Sequence, residues 1–79
     1  MVDLREILAK NLGKLRRARH WTQEELADRV ALSSRYVGQL ERAQASASVT
    51  VLGRLADALG VEPAELLRVP EDVEKPGDG

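Results

Sequence analysis

Cysteine is absent from the 79 residues, which excludes a disulfide framework, thiolate zinc sites and a cysteine nucleophile. His20 is the single histidine, so no imidazole cluster is left to hold a metal, and neither metal nor cofactor is expected. No apolar run approaches the ~20 residues needed to span a bilayer. The opening MVDLREILAK lacks the apolar core of a signal peptide. An intracellular, cytoplasmic protein with no membrane partner is therefore expected. Strand-type alternation and internal repeats are also missing, which leaves an all-α fold. Catalysis has little to work with. "TQEEL" supplies adjacent acids, but consecutive helix positions point about 100° apart, and Glu25 is better used as a helix cap. No enzyme is expected. A chain this short buries only about 60% of its unfolded surface, enough for one small domain with a modest core.

Charge is nearly balanced over the whole chain at −1 but unevenly spread. Residues 1–54 carry ten Lys or Arg against six Asp or Glu; residues 55–79 carry two against seven. From Ile7 to Gln23 there are five basic residues, Lys10, Lys14, Arg16, Arg17 and Arg19, and no acid. Such a local field attracts a polyanion despite the acidic overall balance. A solvated basic helix face explains the same charges equally well.

Periodicity divides the chain into five helices, at about residues 3–19, 23–30, 34–42, 49–59 and 63–68. Leu4, Ile7, Leu8, Leu12 and Leu15 recur at three- and four-residue steps on the first, with Asp3 placed to cap it. Trp21 reads as a core wedge in the connection. "TQEELADRVA" begins with a capping box, Thr22 and Glu25, and Leu26, Ala27 and Val30 face inward. Ser33 opens the third helix, with Tyr36, Val37 and Leu40 inward. Ser48 opens the fourth, where Val49, Leu52, Leu55, Ala56 and Leu59 share a face and Gly60 is placed to end it. Glu62 is expected to cap the fifth, with Pro63 at its first position. These helices form a domain over residues 1–69; residues 70–79, rich in acid, proline and glycine, read as a flexible tail.

Two short helices joined by about three residues define a helix-turn-helix, here at 22–42. In that motif the second helix enters the major groove of DNA. In order, "LGKLRRAR", "WTQEELADRV", "SSRYVGQLER" and "VLGRLADALGVEPAELL" resemble the Cro/phage-repressor-type, xenobiotic-response-element-like regulators, over about Leu12 to Leu67. The resemblance implies a double-stranded DNA partner and a five-helix repressor-like domain. It implies base contacts from Ser34, Arg35 and Gln39, and phosphate contacts from Thr22, Gln23, Ser33, Arg42 and Gln44. It also implies a structural ion pair between Arg16 and Glu41. Arginine pairs bidentately with guanine and glutamine with adenine, which suits the first set. A helix N-terminus favours an anion, which suits Gln23.

The family's usual glycine in the turn is Ala31 here, so a positive φ at that point carries strain. Ala43 and Ala47 stand where the family often has glycine and proline after the third helix. "RYVG", the following Glu–Arg and a serine-containing loop look like the restriction–modification controller subgroup, which are short dimeric regulators. A homodimer on a two-half-site operator is expected, with Leu66, Leu67 and Val69 as its apolar anchors and no small-molecule effector evident. Intramolecular core is the competing role for those leucines. The competing function is a protein-interaction module, such as an antitoxin-like partner with DNA binding secondary. Gly38 falls on the wheel with Ser34, Arg35 and Gln39, and is expected to clear the outward side of the reader helix for DNA.

Overall fold

The computed structural model describes residues 3–70. Five helices follow in order: α1 (Leu4–Ala18), α2 (Gln23–Val30), α3 (Ser34–Glu41), α4 (Val49–Leu59) and α5 (Pro63–Leu66). Among the described residues there is no strand, so the all-α expectation holds. Residues 71–79 of the expected tail lie outside the described residues.

Each of the first four helices starts on a polar side chain that takes up an orphan N–H. Asp3 accepts from the Arg5 backbone at 2.9 Å, and this bond, with the Arg5 guanidinium, holds the Asp3 carboxyl below its ordinary pKa. Thr22 and Glu25 complete a reciprocal capping box at 3.0 and 2.8 Å. Ser33 accepts from Tyr36 N and Ser48 from Val51 N, both at 3.1 Å. Helix α5 differs from the expectation: Glu62 makes no side-chain capping bond, and the helix ends at Leu66, one turn long. Its C-terminal carbonyls are instead gathered by Asn11 of α1, whose Nδ2 donates to Leu66 O at 2.9 Å and Arg68 O at 2.8 Å. Arg19 closes α4 in the same manner, donating to Leu59 O at 2.7 Å.

Among the described residues, three other than glycine take positive φ: His20 at 60°, Ala31 at 57° and Ala43 at 59°. Each follows the end of a helix in the left-handed conformation that normally suits glycine. At Ala31 the Leu32 N–H reaches back to Ala27 O at 3.0 Å, so the α2–α3 turn closes although its residue pays a steric penalty.

The core lies where these helices converge. Leu12, Leu26, Val37, Leu40, Leu55 and Leu66 are all fully buried in it. Helix α3 packs on α1 and α2, while α4 packs on α2 and α5. Helix α3 is thereby fixed on its inner side by two neighbours. Two expected core positions are outside. Leu4 is 58% exposed and Val49 is 87% exposed, because each opens its helix one turn before that helix meets the core.

Candidate nucleic-acid interface

The N-terminus of α2 and the outer side of α3 flank a groove of about 530 Å³. Five predicted contact residues line it: Thr22, Gln23, Ser34, Arg35 and Arg42. Ser33, Gln39 and Gln44 are not among its lining residues. Ser33 sits at the cap of α3, where its oxygen accepts from Tyr36 N. Gln39 is half-buried, and Gln44 accepts at Oε1 from Arg42 Nε at 3.1 Å. The groove thus combines three guanidinium groups, Arg16, Arg35 and Arg42, with the N-terminal end of α2, an arrangement that favours an anion although Glu24 also lines it.

Behind the groove stands the predicted ion pair. Arg16 Nε donates to Glu41 Oε2 at 2.7 Å and Nη2 to Oε1 at 3.0 Å, a two-pronged contact between largely buried groups. A third arginine bond, Nη1 to Trp21 O at 2.7 Å, ties in the α1–α2 connection. Gln23 Nε2 also donates to Glu41 Oε1 at 3.2 Å. The carboxylate therefore orients the amide expected to meet phosphate. Sequence reasoning placed the pair but missed that Gln23 belongs to the same network.

Gly38 is corrected by the structure. It is buried, in the lining between α2 and α3, rather than on a bare outward side. A Cβ there would come within 3.0 Å of Arg42 Nη1 and 3.4 Å of Gln23 Oε1. The glycine makes room for protein side chains, and both are phosphate candidates. The wheel could not show this, because the side chains fold back over the helix surface that it depicts as empty.

Tyr36 and Trp21 also serve as supports. The Tyr36 hydroxyl donates to Ser46 O at 2.9 Å, pinning the loop after α3. Trp21 stacks against Arg29, whose guanidinium carbon lies 4.2 Å from the ring centre.

Leu66 cannot anchor a second copy. It is 0% exposed and belongs to the monomer's own core. Leu67 faces an apolar surface groove of about 220 Å³ shared with Leu4, Leu8, Ala47, Val49 and Leu52. Val69 lies apart from it, beside Asn11 and Lys14 in another groove.

A bundle of short helices, with a basic groove at the junction of the second and third, is a helix-turn-helix DNA-binding domain. The chain belongs to the helix-turn-helix (HTH_3) family, whose model matches residues 12–66, and it is a DNA-binding regulator of that class. It is similar to an uncharacterised HTH-type transcriptional regulator of Sinorhizobium fredii, 39% identical over 84% of this chain and 86% of that protein. Among solved structures it resembles a hypothetical transcription factor from Neisseria, with a TM-score of 0.84 and 37% identity, over 89% of this chain and 80% of the other. It also resembles the restriction–modification controller protein C.AhdI from Aeromonas hydrophila, with a TM-score of 0.76 and 39% identity, over 78% of this chain and 94% of that one. No helix among the described residues is long and apolar enough to cross a membrane.

Proposed function

We propose that the protein is a sequence-selective regulator that reads the major groove of double-stranded DNA with α3, as a homodimer on two half-sites. The observation that carries this reading is the meeting of Thr22, Gln23, Ser34, Arg35 and Arg42 around one groove. Arg35 and Ser34 sit in the first turn of α3, where the second helix of this motif meets base edges. Gln39, one turn on, completes the base-reading set. Thr22, Gln23, Ser33, Arg42 and Gln44 hold phosphates and set the register. The likeness to C.AhdI supports a place among restriction–modification controllers, with binding rather than catalysis as the function.

An eight-residue reader covers few base pairs, so two copies reading half-sites about 34 Å apart supply the needed selectivity. The apolar groove beside Leu67, with exposed Leu4 and Val49, is the surface that a second copy would cover. The test is selection of bound fragments from the source genome, followed by Arg35→Ala. Affinity for the selected site should fall by about 1–3 kcal/mol, with little change on random duplex. Equal losses on both would remove Arg35 from base reading.

A further inference from the structure

Helix α1 presents a second basic surface. Lys10, Lys14 and Arg17 are exposed, and positions four and seven residues apart share one face of a helix. With Gly13, Glu41 and Pro70 they help to line a groove of about 330 Å³. Arg17 folds across Gly13, so that a Cβ there would meet its Nη1 at 3.0 Å and Glu41 Oε1 at 3.5 Å. Among the described residues of this lining Glu41 is the one acid, and its oxygens already accept from Arg16 and Gln23. The same ion pair joins the two grooves: Arg16 lines the helix-turn-helix groove and Glu41 lines this one. The basic surface therefore continues from α2–α3 onto α1.

We propose that Lys14 and Arg17, flanked by Lys10, form a second phosphate-contact surface for the DNA backbone just outside the base pairs that α3 reads. This rests on the reading of α2–α3 as the DNA interface. From Lys10 to Arg17 the helix rises about 10 Å. Successive phosphates of one strand follow at about 3.4 Å along the duplex axis, so the stripe spans about three of them. Long, flexible cationic side chains without a base edge to meet add affinity and register, not selectivity.

The double variant Lys14→Gln, Arg17→Gln tests this on a selected site and on random duplex of equal length, across a salt series. Both affinities should fall by the same factor, on the order of tenfold per contact at about 0.1 M salt, and the slope of log K against log salt should become shallower by about 0.9 per contact. Trimming the duplex to the base pairs under α3 should weaken the native protein and leave the double variant unaffected. Arg17→Lys should keep the slope. An unchanged slope, or a loss confined to the selected site, overturns the proposal. So does a variant that loses thermal stability at low salt with DNA affinity intact. A native protein with no sequence selectivity would instead defeat the parent reading, whereas a selective native protein matched by its variant defeats only this one.

Discussion

At the scale of single residues, the most informative positions are those where a residue sits in a place made for glycine, and the reverse. Ala31 at φ 57° keeps a methyl group in a conformation that disfavours it. Ala31→Gly relieves that strain but adds freedom to the unfolded chain, so a net gain of about 0.5–1 kcal/mol is expected. Thermal unfolding should show a melting temperature higher by a few degrees; no rise would mean that the turn already relaxes around the methyl group. Gly38 is the opposite case. Gly38→Ala should gain up to about 1 kcal/mol of helix propensity, because the nearest obstacle is the flexible end of Arg42, 3.0 Å from the new Cβ. On the proposed phosphate role of Arg42, the displaced guanidinium then meets its phosphate less well. DNA affinity should fall several-fold on specific and random duplex alike, while selectivity stays. A selective loss in competition binding would return Gly38 to the base-reading face.

At the scale of elements, the helices were legible because each writes its own beginning. Thr22, Ser33 and Ser48 stand immediately before apolar runs of helical period, and each makes the capping bond expected of it. Where an element depends on distant partners, the sequence was silent. Glu62 looked like a cap for α5, but that helix is held by Asn11, more than fifty residues away. Nothing in the spacing around Asn11 announces such a contact. Most of the candidate site was legible through the family resemblance, and Gln23 bonding Glu41 was not, since it needs the α2–α3 crossing. The Arg16–Glu41 pair is where elements meet, and it allows a sharper test. Because both groups are largely buried, Glu41→Leu should leave a desolvated guanidinium and cost about 3–5 kcal/mol. Arg16→Met should cost a similar amount. The double variant should cost far less than the two singles together, a coupling that denaturant titrations of all four proteins would measure. Additive losses would mean that each side chain acts separately.

At the scale of the whole molecule, the arrangement separates two surfaces. The basic groove lies at α2–α3, and the apolar groove lies where the start of α1, the start of α4 and Leu67 come together. Exposed apolar side chains scattered singly need no explanation. Leu4 and Val49, however, line the same groove while 58% and 87% exposed, and helix propensity does not ask for either. Val49→Glu removes almost nothing from the monomer's core, so the fold and melting temperature should hold. A charge placed in an apolar seam would be desolvated by a second copy, and pairing should weaken by more than tenfold, in line with a cost of several kcal/mol for an unpaired buried charge. On the proposed homodimer reading, sedimentation should then show monomer at concentrations where the native protein pairs. On DNA, the variant should still bind a single half-site with native selectivity but lose its advantage on two properly spaced half-sites. A variant that remains dimeric, with the two-site advantage intact, would move the seam away from Val49.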